Sequence, residues 1–564
     1  MIKGQRRGQK FAHNLPRMMI NSDSHVEKLA SYFPAPEEIP SAFRAKTCRE
    51  ERLYLLDGQI RPWEGPLAEV SSPICLRRTD GGLRRPIIGQ VPAMDENAAL
   101  DALNAAVRAW DHGRGPWPTM SVAARVAAVE KFAAEMSKVR EEVVNLLMWE
   151  IGKSFDDSSR EFDRTVQYIH KTVDAVKELD RTNSRFSLDG GVIAQVRRAP
   201  LGVCLSMGPF NYPLNEMYTT LIPALIMGNT AVVKPPKFGV LLHQPLLRAF
   251  AASFPAGVVN FIYGSGAKIT PPLMKSGNVD VLALIGSSRA ADSLKREHPR
   301  PHRLRSILGL DAKNPALVMA DADLEIAVRE VVTGSLNFNG QRCTGLKLIF
   351  VHASIVDAFL EKLCEAINAL PIGLPWNEGV KLTPMPEFHK AEAMQAFVYD
   401  ALNKGARVVN VGGGSACETL YFPAVVYPVR PGMELYTKEQ FGPVVPVCAY
   451  QDEQEFLDYV TQSNYGQQVS LFGRDPDRFV KLIDPLANQV CRINLNAQCQ
   501  RGPDTLPFTG RKDSAEATLS ISDALRCFSI RSLVAAQSNP ESRDIIQEIV
   551  TRRHSNFLRT DFIF

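Results

Sequence analysis

At 564 residues the chain is longer than one hydrophobic core supports and implies two to four domains. Its 65 basic and 61 acidic residues leave a net +4, too near balance for nucleic acid or a membrane surface to be the main partner, although small anions remain open. Ten scattered cysteines without a CxxC pair fit reduced thiols in a cytoplasmic protein rather than disulfides or a metal site, and the longest apolar run, 221–227, is far too short to cross a bilayer.

Residues 1–22 are basic and free of acids, which suits an organellar targeting peptide or a flexible start, and a flexible start is expected. Between 54 and 89, short apolar pieces broken by Gly and Pro predict small strands and turns. Helical periodicity follows. Asp95 opens one helix through Trp110, Ser121 caps a second, and Phe162, Val166, Ile169, Val173 and Val176 form the apolar stripe of a third. Arg164 lies off that stripe, and the pattern alone makes it a solvated surface residue.

From 192 onward strands and helices alternate, the signature of a parallel sheet: strands at 192–196 and 202–207, a helix at 216–227, a strand at 230–233, a helix from Leu241, and strands at 258–263 and 279–285. Right-handed crossovers place ligand loops at the carboxyl ends of such strands, where Lys234, Gly264 and Gly286 fall. Gly264-Ser265-Gly266 lacks the third glycine of a dinucleotide fingerprint, so a tight turn explains it equally well. Gly286-Ser287-Ser288 opens a helix, whose free N–H groups suit a pyrophosphate. A second alternating region spans 314–494. The tail predicts a strand at 527–534, a helix near 541–552, and an apolar end that docks against something.

Inside the second region lies Asn337-Phe338-Asn339-Gly340-Gln341-Arg342-Cys343-Thr344-Gly345, a cysteine among small and polar residues. With two glycines admitting a ligand and Arg342 adding charge, this thiol is expected to titrate below its free value of about 8.5 and to act as a nucleophile.

Five segments in this order, Pro209-Phe210-Asn211-Tyr212-Pro213, Gly228-Asn229-Thr230 with Lys234-Pro235-Pro236, Gly340-Gln341-Arg342-Cys343-Thr344, Glu439-Gln440-Phe441-Gly442-Pro443 and Pro507-Phe508-Thr509-Gly510-Arg511-Lys512, resemble the aldehyde dehydrogenase superfamily over roughly 55–530. The resemblance implies an α/β fold: a Rossmann-type cofactor domain (55–183 and 200–308), an α/β catalytic domain (309–496) and a bridging oligomerisation element (184–199 and 497–535). An N-terminal arm (1–54) and a C-terminal extension (536–564) flank them, and the protein is expected to be a homodimer or homotetramer. It further implies Cys343 as nucleophile, Asn211 as the amide donor to the adduct oxygen, and Lys234, Glu439 and Phe441, with Gly264, Gly286 and Ser287, around the cofactor. Where NAD-preferring members often carry a glutamate three residues after the motif lysine, this chain has Lys237. An ammonium there meets a 2′-phosphate, so NADP is the expected cofactor.

Within the superfamily the chain most resembles the non-phosphorylating, NADP-dependent glyceraldehyde-3-phosphate dehydrogenases. That resemblance implies that Arg164, Tyr212, Arg342 and Arg501 hold a substrate phosphate, for which planar guanidinium forks are suited. One departure is serious. The segment that carries the general-base glutamate reads Gly309-Leu310-Asp311-Ala312-Lys313, which leaves no side chain at the base position. Asp311 is either a substitute base or a residue that orders the loop. The expected activity is oxidation of glyceraldehyde 3-phosphate to 3-phosphoglycerate; the alternatives are a CoA-acylating aldehyde dehydrogenase and a weakly active binding protein.

Overall fold

The computed structural model describes residues 23–44, 49–50 and 52–562, so the basic start at 1–22 and the last two residues lie outside the described residues. Five strands form a parallel sheet in the order Val259–Phe261, Thr230–Lys234, Val203–Met207, Val281–Ile285 and Arg305–Gly309, with the short Ala515–Glu516 antiparallel at the far edge. Nearly every residue of the first four is buried, as runs such as Val-Leu-Ala-Leu-Ile require when helices cover both faces. In chain order the sheet runs 3-2-1-4-5. The order reverses between Val203–Met207 and Val281–Ile285, and a crevice opens beyond their carboxyl ends.

The second sheet has seven strands in the order Arg407–Val408, Ala424–Tyr427, Val444–Tyr450, Leu346–His352, Asn314–Val318, Gln468–Phe472 and Arg492–Leu495, parallel except for the first pair. Cys343 lies just before Leu346–His352, at the amino end of this sheet. The site therefore forms where carboxyl ends of one sheet face amino ends of the other. A third, antiparallel sheet joins Phe186–Asp189, Val192–Pro200 and Ser529–Gln537.

The expected helices appear as Glu96–Trp110 capped by Asp95, Val122–Ser137 capped by Ser121, and Phe155–Thr182, whose stripe residues Phe162, Ile169, Val173 and Val176 are buried. Three expectations shift. The helix expected from Leu241 is a single 3-10 turn, Leu241–His243, and the α-helix begins only at Leu247, after Pro245 has removed an amide donor. Cys527 ends a helix, Ile521–Cys527, rather than starting the tail strand. The strand Arg305–Gly309 was not anticipated. Beyond the helix Pro540–Arg552, the chain end docks through buried Leu558 and through Arg559, whose guanidinium meets the Asp180 carboxylate at 2.8 Å.

Candidate active site

Between the two sheets lies a cavity of ≈ 1050 Å³, and Cys343 is in its wall. The loop that presents Cys343 is over-determined. Phe338 and Asn339 adopt left-handed backbone angles, and Asn339 is held through its side chain to the Thr383 backbone. Gly340 has φ +72° and packs so closely that a Cβ would lie 2.6 Å from the Gly442 carbonyl oxygen, so only glycine fits. The Asn314 amide donates to the carbonyl oxygens of Cys343 (2.8 Å) and Gly345 (3.2 Å), and Lys347 Nζ donates to that of Gly340 (2.7 Å).

The expected low thiol pKa is corrected. Burial raises Cys343 above its ordinary value and the nearby Glu439 adds to the rise, outweighing Arg342, Gln467 and Lys347. Sequence neighbours showed the positive charge but not the desolvation.

Asn211 follows the strand Val203–Met207 and is 5% exposed. Its Nδ2 donates to the Gln341 carbonyl at 2.8 Å, which fixes the amide beside the cysteine loop and leaves its second N–H for a ligand oxygen. Lys153 and Glu161, fully buried and ion-paired, hold this turn: Lys153 Nζ donates to the Asn211 carbonyl (2.7 Å) and lies 3.7 Å from the Tyr212 ring centre. Neither was singled out from the sequence, though a lysine beside Gly152 and a glutamate next to the apolar stripe were visible.

Arg164, Tyr212, Arg342 and Arg501 all line the cavity, so Arg164 is not the solvated residue its helix pattern suggests. Its guanidinium grips Asp504 with both ends, at 2.6 and 3.1 Å. Burial pulls Asp504 up, but Arg164 outweighs it and holds the carboxyl below its ordinary range. Arg501 stacks over Phe508 at 4.7 Å and contacts two carboxylates, Asp504 at 3.6 Å and Glu216, while none of its nitrogens makes a well-aligned hydrogen bond. Burial pushes Arg501 down to about 10. Buried Arg342 donates to Thr344 Oγ1 (3.2 Å), and its Nη1 has no partner among the described residues. Glu216 also went unnoticed in the sequence, although it is the one charge in the otherwise uncharged helix Asn215–Ile226.

Lys234, Lys237, Gly286, Ser287, Glu439 and Phe441 share the cavity as well. Lys234 is 8% exposed, and no hydrogen bond or ion pair ties its amine to any described residue; burial lowers it to about 8. Ser287 caps the helix Ser288–Glu297, whose amino end opens at Gly286. Lys237 is exposed with no carboxylate partner among the described residues. A buried ammonium and an exposed lysine, neither with a carboxylate partner among the described residues, beside a helix amino end make an anionic cofactor a good fit here. Gly264 is not among the residues lining this cavity, and its positive φ and close approach to the Met94 backbone fit the tight turn that the sequence also allowed.

Gly309 lines the cavity at the end of Arg305–Gly309. The nearest neighbours of a Cβ built there are Ile285 at 3.4 Å and Leu519 at 3.7 Å, ordinary contact distances, so packing does not forbid a β-carbon at this position. Asp311 Oδ2 accepts from both the N–H (2.8 Å) and the hydroxyl (2.6 Å) of Ser288. These bonds fill the loop-ordering role.

Residues 83–532 match the Aldehyde dehydrogenase family profile, and the chain belongs to that family. An NADP-dependent glyceraldehyde-3-phosphate dehydrogenase of Streptococcus equinus is 31% identical over 437 residues, 76% of this chain and 88% of the relative. A lactaldehyde dehydrogenase of Methanococcus aeolicus is 26% identical over 448 residues, 78% of this chain and 93% of the relative. The crystal structure of an NADP-dependent glyceraldehyde-3-phosphate dehydrogenase from Bacillus halodurans C-125 complexed with NADP is similar at a TM-score of 0.78 and 28% identity, covering 87% of this chain and all of that one (100%).

Proposed function

We propose that the protein oxidises glyceraldehyde 3-phosphate to 3-phosphoglycerate with NADP. The observation that carries this reading is the gathering of Arg164, Arg342 and Arg501 in one cavity with Cys343, three guanidiniums against the two carboxylates they meet, Asp504 and Glu216, an array an apolar aldehyde does not need. Cys343 attacks the aldehyde carbon as thiolate. Asn211 Nδ2 and the Cys343 N–H hold the adduct oxygen, donors of a kind worth ~10² to 10³ in rate. NADP, when bound, supplies the hydride acceptor. Lys234, Ser287 and Lys237 would hold its charged groups and Glu439 a ribose. What remains on Cys343 is a thioester, which water must cleave.

A second reading, acyl transfer to CoA, is favoured by one observation, the missing side chain at Gly309. The deciding experiment is a panel of phosphorylated and unphosphorylated aldehydes with NADP and NAD, with and without CoA. Preference for the phosphorylated aldehyde with NADP and indifference to CoA supports the first reading. A strict CoA requirement supports the second, and negligible turnover throughout points to a binding protein. Exposed Leu188, Ile530 and Leu533 on the third sheet support self-association, which Leu533→Asp would weaken in size-exclusion chromatography.

A further inference from the structure

Five carboxylates line the cavity: Asp157, Glu161, Glu216, Asp311 and Glu439. Four are committed elsewhere. Asp157 accepts from Arg160 at 2.9 Å at the solvent rim. Glu161 takes Lys153 and the N–H groups of Leu214 (3.0 Å) and Asn215 (3.1 Å). Glu216 faces Arg501, and Asp311 is held by Ser288. Glu439 differs. Its Oε2 receives only a long bond from the Ala312 N–H, 3.3 Å, and its buried Oε1 accepts no hydrogen bond, with Lys347 Nζ 3.9 Å away. The ribose contact gives this unused acceptor capacity one use, and a buried carboxylate in the same cavity wall as the nucleophile has the chemistry for a second, taking a proton from water.

We propose that Glu439 is the general base that hydrolyses the Cys343 thioester, the work that Gly309 cannot do. The proposal rests on the aldehyde-oxidising reading above. Glu439 and Cys343 line the same cavity, and the carboxylate is one of the charges that raise the thiol. Burial raises Glu439 above the ordinary carboxyl range, partly offset by Lys347, which suits a group that must take a proton near neutrality. The two roles are separated in time: the reduced cofactor gives up its ribose contact before Glu439 takes the proton from water.

In the step, water oxygen attacks the thioester carbonyl carbon as one water proton passes to Glu439. The tetrahedral oxygen is held by Asn211 Nδ2 and the Cys343 N–H, the C–S bond breaks, and the thiolate takes the proton back from Glu439. Thioester and water become thiol and carboxylic acid, which releases its proton to solvent; nothing is oxidised or reduced.

The test uses the whole chain without NADP. p-Nitrophenyl acetate acylates Cys343, giving a burst of nitrophenolate that reports an intact site, and the later steady rate reports deacylation. Glu439→Gln should keep the burst and slow deacylation by ~10² or more, and Gly309→Glu added to it should restore the rate, whereas Asp311→Asn alone should change little. Wild-type deacylation in Glu439→Gln, or the slow phase appearing in Asp311→Asn instead, overturns the proposal. If Glu439→Gln loses its burst, Glu439→Asp decides: slowed deacylation with the burst kept supports the base role, and an unchanged rate removes it. The assay needs neither NADP nor a phosphorylated aldehyde, so a failed aldehyde panel would sink the substrate reading and leave this result standing.

Discussion

Arg501 and Glu216 face each other as an ion pair in the cavity wall, with side chains only 6% and 10% exposed. The arginine expected to hold a phosphate is thus already matched by a carboxylate of the same chain. Three guanidiniums stand against two acids, Glu216 and Asp504. A phosphate dianion must compete with Glu216 for Arg501, and a charge-assisted bond of that kind is worth about 1.5–3 kcal/mol. Glu216→Gln should therefore raise kcat/KM for a phosphorylated aldehyde by about tenfold relative to its unphosphorylated counterpart. Arg501→Leu should lower the same ratio, and because it strands a buried Glu216 it should also cost about 3–5 kcal/mol of stability. Arg501→Leu/Glu216→Gln should regain the stability without the preference. A substrate ratio that none of these variants moves would take Arg501 out of phosphate recognition.

Lys237 tests cofactor choice. It is exposed at the cavity, and Lys237→Glu replaces attraction to a 2′-phosphate with repulsion. The NADP over NAD preference should fall by about tenfold or more in kcat/KM. An unaltered preference would make Lys237 a bystander.

The thiol offers a pH test. Burial, then Glu439, raises Cys343 above its ordinary value. A raised thiol pKa means that the reactive thiolate gains ground only as pH rises. Alkylation by iodoacetamide, followed by mass spectrometry, should keep accelerating through the ordinary thiol value of about 8.5 without a plateau below it. Glu439→Gln removes a negative neighbour and should move the profile to lower pH. A plateau near pH 7 in the wild type would mean a preformed thiolate.

The parts of this molecule legible in sequence are those whose cause is local. Buried runs such as Thr230–Lys234 and Val281–Ile285 announce a covered parallel sheet, and the cysteine loop carries its glycines and polar neighbours within nine residues, 337–345. The strand Arg305–Gly309 was missed because only Ser306, Ile307 and Leu308 of it are buried, between a charged end and a glycine. Gly264 stayed ambiguous in sequence because a ligand loop and a tight turn share the same local pattern. Glu216 meets Arg501, and Cys343 comes to share a cavity with Glu439, only through folding. Their charges were visible, but their pairing and desolvation were not.

The last such pair, Lys153 and Glu161, carries a prediction about geometry rather than charge. Both side chains are 0% exposed. Lys153 Nζ anchors the Asn211 carbonyl at 2.7 Å and sits over the rings of Tyr212 and Phe338, at 3.7 and 4.6 Å. Glu161 Oε1 accepts the N–H groups of Leu214 and Asn215, donors at the amino end of the helix Asn215–Ile226 that would otherwise be orphaned. The pair therefore pins both ends of the turn that aims the Asn211 amide. Glu161→Gln leaves a buried ammonium without its partner and should cost about 3–5 kcal/mol, read as a lower Tm. Lys153→Met/Glu161→Gln removes both charges, so most of that stability should return. Turnover should not return with it, because Asn211 has lost its main-chain anchor. A misaimed oxyanion donor should cost ~10² in the single-turnover rate of NADPH formation, with NADP affinity retained, since Lys234 and Ser287 are untouched. A double variant with wild-type Tm and wild-type single-turnover rate would show that the pair serves the fold alone.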